Sequence, residues 1–161
     1  MNTPFLDIVY VRVDFDRELV FRFFTVFSLF EYALKRSEFR TKTSDAQADW
    51  EAFAGNIQGG FDPKSSPALK EAVYYFLNRP PMKQVIEKGQ MVFRRRDPNQ
   101  NSSDTEKLAI YIRRVRNNLF HGGKFRYEHP RDTELIQHSM VILESWAQLD
   151  KNIKQELENI A

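Results

Sequence analysis

Apolar residues recur at the three- and four-residue spacing of an amphipathic helix in the first third of the chain. The pattern begins after Asp14 or Asp16, either of which can cap a helix, and continues to about Phe39. One stripe of this segment contains Val20, Phe23, Phe24, Phe27, Phe30 and Leu34. The spacing therefore predicts a long helix that buries an aromatic face.

Two shorter helices are predicted next. One begins at Thr43 or Ser44 and ends before Gly55. The other begins at Ser66–Pro67, because a cap residue followed by proline is a typical helix start, and it ends at Pro80–Pro81. Residues 5–13, rich in β-branched and aromatic types, form either a short strand or an arm that packs on a partner. Residues 91–93 are either helical or extended.

The sequence of the last third of the chain predicts two more helices. Ser103 or Asp104 caps the first, and Gly122–Gly123 ends it. Asp132 caps the second, which is predicted to be one long C-terminal helix. Its apolar seam contains Leu135, Ile142, Trp146, Leu149, Ile153, Leu157 and Ile160. The 161 residues thus predict a single all-α domain, an up-and-down bundle whose last seam faces the core or a second copy.

Composition excludes several kinds of site. The chain has no cysteine, so disulfides, thiolate zinc sites and a cysteine nucleophile are excluded. Neither a His-Glu-x-x-His motif nor a dense His/Asp/Glu cluster is present, so no metal and no cofactor are expected. No apolar run approaches the roughly 20 residues of a membrane span, and the first residues do not resemble a secretory signal. We therefore expect a cytoplasmic protein.

Charge is distributed unevenly. The net charge is only +2, but the Lys/Arg excess is concentrated between Arg79 and Arg131, and the flanking segments are slightly acidic. Such asymmetry indicates a polyanionic partner, although a solvated basic face explains the charge alone equally well.

The strongest chemical signal lies at residues 113–124. The apolar stripe of this helix contains Leu108, Tyr111, Ile112, Val115 and Leu119 and must face the core. Arg116 lies at the edge of this stripe, whereas Arg113, Asn117 and His121 stack on the opposite side. On an unbroken helix Arg116 and His121 would point about 140° apart. They can meet at one ligand only if the helix loosens at His121 or if two chains combine.

The residues Arg116-Asn117-Asn118-Leu119-Phe120-His121 resemble the signature of the HEPN superfamily, an arginine followed by four to six residues and a histidine. A polar residue after the arginine, the helix end at Gly122–Gly123 and the Phe30–Lys35 segment add to the resemblance. The resemblance implies a HEPN-like helical bundle and a homodimer with a composite site. It also implies a metal-independent endoribonuclease that is a toxin or phage-defence effector, with an antitoxin protein as partner.

The resemblance assigns catalysis to Arg116, Asn117 and His121. His121 would act as general acid/base, and Arg116 would stabilise charge on the phosphorane. RNA supplies its own nucleophile, the 2′-OH, so the products would be a 2′,3′-cyclic phosphate and a 5′-OH. Flanking phosphates would be held by Arg113, Arg114, Lys124 and Arg126.

Three further side chains are candidate supporting residues. Glu31 and Lys35 are one turn apart and form either a surface ion pair or, through Glu31, an orienting group near the site. Tyr127 is the nearest tyrosine after the histidine. Two other functions fit the same residues: a module that binds RNA or nucleotides without cutting, and a helical dimerisation protein.

Overall fold

The computed structural model describes residues 4–122, 128 and 130–160. Within these residues the chain forms seven helices and one antiparallel hairpin. The helices are α1 (Phe5–Arg12), α2 (Arg17–Arg36), α3 (Trp50–Ile57), α4 (Pro67–Asn78), α5 (Asp104–Phe120), α6 (Arg131–Ala147) and α7 (Lys151–Glu158), and the strands are β1 (Lys83–Glu87) and β2 (Gln90–Arg94). The prediction of a largely helical fold is confirmed.

Local capping chemistry sets several helix starts. The Asp16 carboxylate accepts a hydrogen bond from the Leu19 N–H at 3.0 Å, so the later of the two predicted caps begins α2. Ser66 caps α4 and is followed by Pro67, as predicted. Ser103 and Glu106 form a reciprocal capping box at the start of α5.

The core is built around aromatic rings. Phe23, Phe27 and Phe30 of α2 are buried, and the Trp50 ring stacks on both Phe27 and Phe30 at centroid distances of 5.3 and 5.5 Å. The Trp146 ring meets Phe53 edge-on at 5.9 Å. These contacts join α2, α3 and α6, and the Phe23 ring of α2 also stacks on Phe120 at the end of α5, at a centroid distance of 6.4 Å.

Several predicted boundaries were wrong. The second helix begins at Trp50 rather than at residue 43 or 44, because Asp49 caps it, and Gly55 lies inside it. Residues 5–12 are helical rather than a strand, and none of them is buried; packing of this segment on a partner stays a prediction.

The single long C-terminal helix is also a wrong prediction. The helix is interrupted between α6 and α7. The Asp150 carboxylate caps α7 by accepting hydrogen bonds from the N–H groups of Asn152 and Ile153. Asp132 is not a helix cap, because α6 begins at Arg131 and the Asp132 carboxylate accepts from the Glu128 N–H at 2.7 Å. None of the helices among the described residues is both long enough and apolar enough to cross a membrane.

Residues 91–93 are extended, the second of the two predicted alternatives, because they belong to β2 of the hairpin. Its two-residue turn has positive φ angles at Lys88 (51°) and Gly89 (76°), which suit the twist of a tight hairpin. Three consecutive carbonyls before β1 each accept a side-chain hydrogen bond from α5 or α6. The pairs are Arg131 Nη2 to Pro80 O (3.0 Å), Arg114 Nη1 to Pro81 O (3.0 Å) and Asn118 Nδ2 to Met82 O (2.9 Å). These bonds hold the start of the hairpin against α5.

Candidate functional site

Arg116 and His121 meet within one chain. Helix α5 ends at Phe120, and His121 leaves the helical conformation with φ −98° and ψ 19°. Gly122 follows with a positive φ of 73°, a conformation that glycine adopts readily. The imidazole lies beside the guanidinium, with His121 Nε2 2.7 Å from Arg116 Nη1. Of the two ways in which these side chains could converge, loosening of the helix therefore suffices, and this contact does not require a second chain.

The Arg116 guanidinium has several further neighbours. Its Nη1 donates to Asn117 Oδ1 at 2.9 Å, and its Nη2 lies 3.9 Å from Glu31 Oε2. The group also lies over the Phe27 ring, 5.4 Å from the centroid. Since Trp50 Nε1 donates to Glu31 Oε1 at 3.3 Å, the carboxylate is itself held in place. Arg116 is thus a preorganised cation at the end of α5.

The contact with Arg116 has one possible hydrogen-bond direction. A guanidinium N–H can only donate, so Nε2 of the imidazole is the acceptor when this hydrogen bond forms. The tautomer that can accept at Nε2 carries its proton on Nδ1. His121 is exposed, and a neutral imidazole with its lone pair at Nε2 can act as a general base once that atom is released.

Glu31 lies beside Arg116 at the candidate site, which is the second of its two predicted placements. Among the described residues, Glu31 forms an ion pair with Arg116 and not with Lys35. Lys35 is half-buried, and within the described part of the chain no side-chain hydrogen bond or ion pair joins it to Arg116 or His121. A supporting role for Lys35 stays a prediction.

A groove of about 400 Å³ borders His121 and Asn117. It is lined by Lys83, Gln84, Ile110, Arg113, Arg114, Asn117, Asn118 and His121. Gln84 Nε2 also lies 3.4 Å from the Gly122 carbonyl oxygen, so β1 reaches the end of α5. Sequence analysis missed Lys83 and Gln84, because tertiary contacts, among them the three bonds to residues 80–82, bring the hairpin over the motif.

The adjacent arginines of the motif have different surroundings. The Arg113 side chain is exposed and makes no hydrogen bond or ion pair to another described residue. Arg114 donates from Nη1 to the carbonyl oxygens of Pro81 and Arg96, at 3.0 and 2.9 Å, and lies over the Tyr111 ring. Burial lowers the pKa of Arg114 from its ordinary value. Arg113 is therefore the better placed of the two for a phosphate.

Three predicted site residues lie outside the described part of the chain, namely Lys124, Arg126 and Tyr127. Within the described residues no group of three His, Asp or Glu side chains has an arrangement that could hold a metal ion. Comparison of the chain with protein-family models, curated proteins and solved structures gave no significant match. The motif and the geometry around Arg116 and His121 are therefore the features that indicate a function.

Proposed function

We propose that the protein is a metal-independent endoribonuclease of the HEPN type. The observation that carries this proposal is the 2.7 Å contact between Arg116 Nη1 and His121 Nε2 at the edge of a groove that also presents Arg113 and Lys83. The pair places a cation for the phosphate and a base for the 2′-OH within one small volume. Because RNA provides the nucleophile, this pair is enough to begin the reaction without a metal.

The reaction starts when a phosphate enters and draws Arg116 from the imidazole. Arg116 then donates to the non-bridging oxygens, while contact with Glu31 and Phe27 keeps the guanidinium close. His121 Nε2 accepts the proton of the 2′-OH, and the 2′-oxygen forms a bond to phosphorus. The bond from phosphorus to the 5′-oxygen breaks, that oxygen takes a proton from water, and the His121 imidazolium returns its proton to the solvent. The products are a 2′,3′-cyclic phosphate and a 5′-OH.

The proposal includes a homodimer, as the resemblance to the superfamily implies. In a dimer the His121 of the second chain, in its imidazolium form, would replace water as the proton donor to the 5′-oxygen. The exposed apolar side chains of α1, among them Phe5 and Leu6 at 75% exposure each, support a partner for this face. An effector role in defence, with an antitoxin as partner, belongs to the same proposal.

Binding of RNA without cleavage is the second candidate. The exposed cations Lys83 and Arg113 line the groove whether or not His121 performs chemistry. A binding module would retain this electrostatic attraction, which depends on salt, and would leave the RNA intact.

Cleavage of total RNA in EDTA tests the proposal. We expect the wild type to cut RNA, His121→Ala to lose at least about 100-fold in rate, and Arg116→Ala to lose a similar factor. Arg22→Ala is the matched control, since Arg22 is an exposed arginine on α2 outside this groove.

The same assay separates the alternatives. RNA that is bound by the wild type at low salt but never cut would support the binding module and contradict the nuclease. Activity that disappears in EDTA would contradict the metal-independent mechanism. Equal cleavage by wild type and His121→Ala would remove the histidine from it.

A further inference from the structure

One face of α2 carries exposed aromatic rings that the core does not use. Arg17, Phe21 and Phe24 are separated by four and three residues, so they project from the same side of the helix. Phe21 is 69% exposed and Phe24 is 47% exposed. Contiguous exposed apolar patches mark interaction surfaces, whereas apolar residues exposed singly are normal.

Phe120 joins this face to the candidate site. Its ring meets Phe24 edge-on at a centroid distance of 5.3 Å, and the Phe21 and Phe24 rings stack at 6.5 Å. Phe120 is 37% exposed and immediately precedes His121. Phe21, Phe24 and Phe120, called here the aromatic strip, therefore form a continuous row that ends at the Arg116–His121 pair.

The charges at the two ends of the aromatic strip suit a nucleic acid strand. Arg116 lies at one end, one helical turn before Phe120. Arg17 lies at the other end, where its guanidinium is 4.4 Å from the centroid of the Tyr10 ring. A row of rings between cations is the arrangement with which proteins bind unpaired nucleotides, because bases stack on the rings and phosphates meet the cations. Bases inside a duplex cannot stack in this way.

We propose that the aromatic strip binds unpaired bases of the RNA next to the scissile phosphate, so that the substrate class is single-stranded RNA. This inference rests on the proposed function for the position of the scissile phosphate. It assigns Phe21, Phe24 and Phe120 to substrate selection and leaves proton transfer to His121.

Binding of an uncleavable strand tests the strip without depending on catalysis. The probe is a fluorescent 12-nucleotide 2′-O-methyl RNA, which lacks the attacking hydroxyl, measured by anisotropy at low salt. We expect Phe24→Ala and Phe21→Ala each to weaken binding about 5- to 100-fold, as expected for the loss of one stacked base. The corresponding duplex should bind more weakly to the wild type and should not respond to either variant.

Matched variants separate stacking from other effects. Tyr74→Ala removes an aromatic ring of equal exposure, 69%, from α4 and should bind within twofold of the wild type. Phe21→Tyr keeps a ring and should keep the affinity, whereas Phe21→Leu keeps only apolar bulk and should lose it. Thermal melting checks that each variant is folded, and the high exposure of Phe21 makes its replacements safe for the fold.

The outcomes keep this inference distinct from the proposed function. Binding that depends on the rings, in a wild type that never cuts RNA, supports the strip and contradicts the nuclease. Cleavage that is unaffected by the ring variants supports the nuclease and overturns the strip. Equal affinity for strand and duplex also overturns it. If light scattering shows that Phe21→Ala or Phe24→Ala dissociates a dimer, the strip is a subunit interface and the proposal is overturned.

Discussion

At the scale of single residues, Arg113 and Arg114 show how far neighbours in sequence can differ. The Arg114 guanidinium bridges two carbonyl oxygens and is half-buried, whereas the Arg113 side chain is exposed beside the groove. A buried donor that satisfies carbonyls contributes mainly to stability. An exposed cation without a protein partner contributes mainly to attraction of phosphate.

The two arginines therefore predict opposite phenotypes. Arg114→Ala should lower the free energy of unfolding by about 1–2 kcal/mol, because the carbonyls of Pro81 and Arg96 lose their donor. Arg113→Ala should leave stability unchanged and weaken RNA binding, with the slope of log affinity against log salt falling by about 1. Urea unfolding and anisotropy titrations at several salt concentrations measure the two quantities.

Each variant serves as the control for the other. A loss of stability in Arg113→Ala, or an unchanged unfolding midpoint in Arg114→Ala, would contradict this assignment. Equal salt slopes for wild type and Arg113→Ala would remove Arg113 from the RNA interface.

Sequence reasoning identified both members of the Arg116–His121 pair and offered Glu31 as one possible support, but it did not identify the contact of Arg116 with Phe27. Arg116 and His121 belong to one short motif, and the glycines after His121 made a break in the helix foreseeable. Glu31 and Phe27 come from a helix far earlier in the chain, so only tertiary packing brings them to Arg116. The spacing of Glu31 and Lys35 could not decide which way the carboxylate points.

At the scale of elements, the link between α5 and the hairpin is the feature that shapes the groove. Asn118 is 7% exposed, and its Nδ2 donates to the Met82 carbonyl directly before β1. Arg131 and Arg114 hold the two preceding carbonyls. The position of Lys83 and Gln84 beside His121 therefore depends on bonds made by other elements.

Asn118→Ala tests this dependence. The variant should lower the free energy of unfolding by about 1–3 kcal/mol, because the Met82 carbonyl loses its donor in a buried place. It should also speed amide hydrogen exchange in β1 and β2 more than in α2, since the hairpin loses one of its anchors. Mass spectrometry of exchanged peptides measures the difference.

Ser102→Ala is a comparison variant for Asn118→Ala. Ser102 directly precedes the cap of α5 and makes none of the three bonds to the carbonyls of residues 80–82. Uniform acceleration of exchange across the fold in Asn118→Ala would indicate general destabilisation. Unchanged exchange in the hairpin would contradict the anchoring role.

Elements with strong local signals were predictable, and those decided by tertiary contacts were not. Ser66–Pro67 and Ser103 act through local chemistry, and helices begin at both, at Ser103 as the earlier of the two predicted caps. The seam across residues 135–160 keeps its helical spacing through the break at Asp150, so periodicity alone could not reveal two helices. Residues 5–12 are helical although their composition favours a strand. The β propensity of a residue depends on its packing, and none of these residues is buried, so composition was a weak guide here.

At the scale of the whole molecule, assembly and catalysis are separate questions. The resemblance to the superfamily implies a composite site built from two copies. In this structure Arg116 and His121 are already in contact within one chain. In the proposed dimer the second chain would cover the exposed face of α1 and offer a second His121, but it is not required for bringing this pair together.

Mixed dimers distinguish a site within one chain from one shared between chains. Two differently tagged copies are co-expressed and purified through both tags, and light scattering at tens of micromolar establishes that the product is a dimer. A dimer of Arg116→Ala with His121→Ala contains no intact pair within either chain, so we expect it to remain inactive. A dimer of the wild type with the double variant contains one intact pair and should retain measurable cleavage. Recovery of activity by the first mixture would show that the arginine of one chain serves the histidine of the other, and the contact within one chain would then not be the catalytic arrangement.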